Sequence, residues 1–159
     1  MKNLMGISYK KFLEDATEEQ IEMINRGEIL NTLSKEAREK IKKVKNNSRI
    51  LVFSETRCGD AATAIPLLLK MNELNDKIDI EFFKYEENKE YLNKYIKETK
   101  IPTIVKVDSE CNILGEYIEF PKEIKDRLKN EEREIVINEF RSGKYSKKIE
   151  EDIIKLILL

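Results

Sequence analysis

The feature that most constrains this chain is a junction. The apolar run Ile50-Leu51-Val52-Phe53 leads through a short connection to Arg57-Cys58-Gly59-Asp60-Ala61. A helix with Ile65, Leu68, Leu69 and Leu74 on its apolar face follows, running to about Leu74. A continuous apolar run reads as a strand buried on both faces. Cys58 therefore falls at the start of a helix that leaves a central strand. Free N–H groups and the helix dipole favour a thiolate there, and Arg57 should help. Asp60 and Glu55 oppose that effect by their charge. Pro66 lies inside the helix and should kink it, because it removes one backbone hydrogen bond.

The rest of the composition excludes several functions. The 159 residues fit one domain with a sizeable core. Charged residues make up 38%, yet the net charge is −1 and the two signs are interspersed, so they read as solvated helix faces. No nucleic-acid partner is expected, since the basic segments lack the aromatics that stack on bases. The chain has no histidine, so neither a histidine ligand nor a histidine base is available. Its two cysteines, Cys58 and Cys111, cannot build a structural zinc site or a disulfide framework. No metal and no cofactor is expected. Residues 1–11 lack the apolar run of a signal peptide, and no segment reaches membrane-spanning length. The expectation is a cytoplasmic protein with free thiols and no membrane partner.

Flanking elements follow from caps and periodicity. Tyr9 to about Asp15 reads as a short helix. Thr17-Glu18-Glu19-Gln20 has the form of a capping box, with Gly27 interrupting the helix it opens. Ser34 starts a helix carrying Ala37, Ile41 and Val44. Ile78–Phe82 alternates as a strand, and Asn88–Glu98 reads as a helix. Thr103–Val107 and Ile113–Ile118 are strands joined by the loop Asp108–Asn112. Pro121 starts a helix with Ile124, Leu128, Ile135 and Val136 in register, which Arg141-Ser142-Gly143 breaks. Ser146 is the expected cap of a last helix with Ile149, Ile153, Ile154 and Ile157 on one stripe. That stripe fits packing on its own domain, and a partner or membrane contact is the alternative.

The order is helices, then strand–helix–strand–helix–hairpin–helix. The strand–helix–strand unit implies parallel pairing, and the hairpin adds antiparallel strands. The fold class is α/β, a mixed sheet flanked by helices. The divisions are a helical extension over 1–47 packed on the domain, a core over 48–128, and a C-terminal helical extension over 129–159.

Cys58 after the first core strand, Pro66 in the following helix, and Ile101-Pro102-Thr103 opening a late strand occur here in one order. In these three features the chain resembles the thioredoxin superfamily over roughly residues 48–128. The phrase Cys-Gly-Asp-Ala, behind a helical N-terminal extension, is most similar to a bacterial branch in which Cys-Gly-Asp is followed by Cys or Ala. The resemblance implies a cis Pro102 facing Cys58, with the Ile101 backbone free to pair with an extended peptide by strand addition. A plain strand-start proline is the alternative. It also implies a binding edge made of Arg57, Gly59, Asp60, Ile101 and Pro102 around a catalytic Cys58.

Two departures define the functional question. Ala61 occupies the position of the resolving cysteine, and Val52 the position of a buried aspartate that assists it. A lone Cys58 can form a mixed disulfide but cannot release its partner by intramolecular attack. Cys111 is no substitute: a five-residue strand at ~3.3 Å per residue carries it about 16 Å from the Pro102 loop. A disulfide needs Cα atoms within about 7 Å. One reading is a monothiol redox protein acting on protein or peptide thiols and disulfides, or on a low-molecular-weight thiol. The alternative is a non-catalytic binding module that holds a peptide or protein partner. An iron–sulfur cluster shared with an external thiol is not expected, since Asp60 and Ala61 do not resemble that motif.

Overall fold

The computed structural model describes residue 1 and residues 4–159. Three helices come first: α1 (Tyr9–Phe12), α2 (Glu18–Leu30) and α3 (Lys35–Lys42). Strand β1 (Ser48–Ser54) leads to α4 (Gly59–Leu74), β2 (Ile78–Lys84) and α5 (Tyr85–Leu92). The hairpin β3 (Thr103–Val107) and β4 (Ile113–Ile118) follows. Next come α6 (Lys122–Arg127), α7 (Arg133–Glu139), a π-helical turn over Phe140–Lys144, and α8 (Ser146–Leu158).

The sheet order is β2-β1-β3-β4. β1 runs parallel to β2, with Ser48 opposite Ile78 and Ser54 opposite Lys84. β3 pairs antiparallel with both β1 and β4. Side chains alternate across the sheet. Ile50, Val52, Phe82 and Ile104 join one core with α4 and α8, while Leu51, Phe53, Phe83 and Val105 join another with Leu92 and Ile96. β1 is thus covered on both faces, as its unbroken apolar run requires. In α8, Ile149, Ile153 and Ile157 are buried in the first of these cores. Among the described residues, no helix is long and apolar enough to cross a membrane.

Local signals hold where they are self-contained. Thr17 and Gln20 form a reciprocal capping box, and the Ser34 hydroxyl accepts the Ala37 N–H. α4 continues through Pro66 to Leu74. Other elements differ from expectation. α1 ends at Phe12 in a turn. α2 runs through Gly27 to Leu30, because that glycine packs directly on α4. α5 ends at Leu92 rather than Glu98, and a turn then buries Ile96. The helix expected after Pro121 is two helices, with residues 128–132 turning between them. The turn lets Val136 and Phe140 enter the core, where Phe140 meets Phe120 edge-on with centroids 5.0 Å apart. Ser146 does not cap α8 but is its first residue. Its hydroxyl instead donates to the Asn31 side-chain oxygen at 2.7 Å and the Gly143 carbonyl at 2.8 Å.

Candidate functional site

Cys58 is the N-cap residue of α4, with extended φ and ψ of −87° and 113°. Its Sγ accepts the Ala61 N–H at 3.4 Å. That satisfies one of the free donors at a helix start, a task usually given to Ser, Thr, Asp or Asn. On its other side the thiol donates to the Ile101 carbonyl at 3.5 Å. The β1–α4 junction and the segment entering β3 therefore meet at this sulfur. The Ile101–Pro102 bond is cis. Pro102 is buried, and its carbonyl accepts the Glu119 N–H at 2.8 Å, tying the segment to the end of β4.

The Cys58 thiol is partly buried, and burial pushes its pKa above the ordinary thiol value. The Ala61 amide opposes this, the Asp60 carboxylate adds to it, and the Asp60 amide and the Arg141 guanidinium oppose it. This reverses the direction expected from the helix start alone. Desolvation outweighs the amides of the helix start because Cys58 packs against the apolar core.

The charges around the thiol are also arranged differently. Arg57 is exposed and held by Glu86 at 3.1 Å and Glu55 at 3.5 Å. Glu55 in turn accepts the Glu86 N–H at 2.9 Å. The cation that acts on Cys58 is Arg141, on the π-helical turn. Its Nε donates to the buried Asp60 carboxylate at 2.8 Å. Its guanidinium also lies over Gly59, where a β-carbon would stand 2.7 Å from Cζ. Gly59 thus admits the arginine by lacking a side chain. Arg141 lies 81 positions from Asp60, and nothing local in the sequence marks it.

Ala61 and Val52 are both buried in the first core, against which Cys58 packs. Cys111 lies at the opposite end of the sheet. The β1–β3 register puts Thr103 opposite Phe53 near Cys58 and Val107 opposite Arg49 at the far end. Cys111 follows Val107, and Arg49 donates to its Sγ at 3.1 Å. Both cysteines are free. Among the described residues no group of three or more Cys, Asp or Glu side chains forms a metal site.

A family model described as thioredoxin matches residues 6–133. No curated protein matches the chain. Among solved structures, a protein of unknown function from Pseudomonas aeruginosa is similar, with a TM-score of 0.82 and 19% identity, covering 97% of this chain and 93% of that one. An HIV epitope-scaffold is similar to the same extent, with a TM-score of 0.81, 19% identity and the same coverage. At such identities the likeness is one of fold.

Proposed function

The chain belongs to the thioredoxin family, and from that premise we propose that it is a monothiol member in which Cys58 alone carries out thiol–disulfide exchange. The observation that carries this reading is the seat of Cys58. Its sulfur caps α4 by accepting the Ala61 N–H and faces the Ile101 carbonyl, while Ala61 leaves it without a neighbouring thiol. The Cys58 thiolate attacks one sulfur of a disulfide RS–SR′, forming Cys58–S–S–R and releasing R′S⁻, which takes up a proton. A low-molecular-weight thiol then attacks the R sulfur and returns Cys58 as a thiolate. A reducing cytoplasm supplies such thiols. The Ala61 amide stabilises the thiolate at both steps. On this reading Arg57, Gly59, Asp60, Ile101 and Pro102 form the substrate edge. An extended peptide would add along the Ile101 segment.

The test is to incubate the protein with oxidised glutathione and weigh it. One adduct on Cys58, absent in Cys58→Ser and removed by added thiol, is expected. No adduct at Cys58 up to mildly alkaline pH would sink the reading.

One observation favours a second reading. Burial raises the Cys58 pKa and so lowers its thiolate fraction near neutral pH. A module that holds a peptide at the Ile101–Pro102 edge without turnover would tolerate that. Such a module would bind peptides equally well as Cys58→Ser.

A further inference from the structure

A cavity of about 690 Å³ opens at the end of the sheet away from Cys58, where Val107 pairs with Arg49. The α3–β1 connection, the β3–β4 loop and the end of α8 surround it. Its size suits a small molecule. Lys43, Lys45, Arg49 and Lys106 line it, against one carboxylate side chain, Asp108. Arg49 is neutralised by Glu81 at 2.6 Å. Asp108 is turned into its own loop, where it accepts the Glu110 and Asn112 N–H groups and the Asn112 amide. The three lysines make no ion pair among the described residues.

Lys43 and Lys45 are exposed, but Lys106 is 6% exposed and is the one buried lysine among the described residues. A buried ammonium is costly unless a counter-charge and hydrogen bonds compensate it. Its Nζ donates to the Ile157 carbonyl at 2.5 Å, and no second acceptor meets it among the described residues. An ammonium has three donors, so one is used. Burial accordingly pushes the Lys106 pKa below the ordinary lysine value. Capping α8 accounts for part of this, since helix C-termini favour cations. The cap does not require the charge, because the Ser48 hydroxyl donates to the same carbonyl at 3.0 Å.

We infer that this cavity binds a soluble phosphate monoester, with Lys43, Lys45 and Lys106 taking its phosphate. Such a phosphate carries roughly two negative charges near neutral pH and three acceptor oxygens. Lysines are point charges on flexible stems, so they can turn to separate oxygens of one phosphate. A carboxylate would offer fewer oxygens and a single charge. Val44, Leu114 and Leu158 line the same cavity and give apolar surface for the carbon body of the ester. The site stands at the far end of the sheet from Cys58 and does not depend on exchange at that thiol.

The experiment titrates the isotope-labelled protein with n-hexyl phosphate and follows the amide resonances of Ser48 and Ser109, which line the cavity. Both should shift saturably, and n-hexanol should shift neither. Lys43→Gln and Lys45→Gln should each weaken binding about fivefold, the scale of one exposed ion pair. Lys106→Met leaves Ser48 to cap α8 and should abolish binding, with urea unfolding to verify that the variant is folded. If Lys106→Met does not fold, the two exposed lysines decide the outcome. No saturable shift with n-hexyl phosphate overturns the inference, and Lys106 is then a helix cap alone. Undiminished affinity in both Lys43→Gln and Lys45→Gln overturns it, as do equal shifts with n-hexanol. Sedimentation with phosphatidic acid vesicles, without binding of n-hexyl phosphate, would assign the lysines to a membrane surface and overturn it too.

Discussion

Gly27 of α2 lies against the carbonyl of Ala62 in α4, so close that a β-carbon would stand 2.8 Å from the Ala62 carbonyl carbon and overlap its oxygen. Pro66 accounts for the acceptor. Proline has no N–H, so the carbonyl four residues earlier, that of Ala62, loses its helical partner. A Cα–H of Gly27 fills the gap in a weak hydrogen bond. Two sequence features that each read as a local disruption, a glycine in one helix and a proline in another, form a single crossing point. That crossing holds α2 over the helix that begins at Cys58.

Gly27→Ala should therefore destabilise the protein even though alanine is the better helix former. Backbone cannot yield as a side-chain tip can, and overpacking at such a contact costs about 3 kcal/mol. Urea unfolding should show a lower midpoint with an unchanged slope. An alanine variant as stable as the parent would show that α2 shifts on α4 at little cost.

The sequence exposes some of these arrangements and hides others. Thr17 and Gln20 announce the start of α2 because a capping box lies within four residues. The apolar run of β1 shows a strand covered on both faces, and the loop before Asn112 shows a hairpin. Gly27 misleads because its role depends on Ala62, 35 positions away. The division of the helix after Pro121 depends on Phe140 reaching Phe120. At the site, Cys58 and Ile101 are marked by type and order, whereas Arg141 meets Asp60 only through the folded chain. Desolvation of Cys58 is likewise a product of packing, so the helix start alone yields the wrong direction for its pKa.

Tyr9 gives an alkaline signature of the N-terminal helices. Burial first, and Glu28 second, push its phenol up to about 12. Its ring packs against Phe82 and Phe12. In the unfolded chain a tyrosine ionises near 10. Between these values the folded state holds the proton that the unfolded state has lost. Stability contributed by this group is complete below about pH 10 and is lost as pH rises towards 12. Tyr9→Phe should flatten that part of the pH–stability curve and leave the neutral region within about 1 kcal/mol of the parent. An equally steep alkaline loss in Tyr9→Phe would locate the effect elsewhere.

Ala61→Cys should restore a dithiol. Ala61 already places its amide 3.4 Å from the Cys58 sulfur at the first turn of α4. Mild oxidation should remove two titratable thiols per chain and leave Cys111 reactive. The parent should fail to reduce insulin disulfides over multiple turnovers with a thioredoxin reductase, since Cys111 is held at the far end of the sheet beside Arg49. Catalytic turnover by the parent would mean that another thiol resolves its mixed disulfide. In the variant the new thiol would enter the apolar core that also holds Val52, where no carboxylate is expected to assist its proton transfer.

Cys58 should alkylate slowly at neutral pH, with a rate that climbs through a midpoint above the ordinary thiol value of about 8.5. Burial sets that direction, and the nearby charges adjust it. Asp60→Asn should lower the midpoint by removing the adjacent carboxylate. Arg141→Gln should raise it by removing the cation that opposes Asp60. Arg57→Ala should leave it in place, because Glu55 and Glu86 hold that guanidinium. The same shift bears on stability. A thiol with a raised folded pKa keeps its proton while the unfolded chain loses it, so its contribution declines as pH rises above the unfolded value. Iodoacetamide kinetics in a Cys111→Ser background read all three variants. If Arg57→Ala raised the midpoint and Arg141→Gln did not, the charge acting on the sulfur would come from the β1–α4 connection. The π-helical turn would then have no electrostatic part in the site.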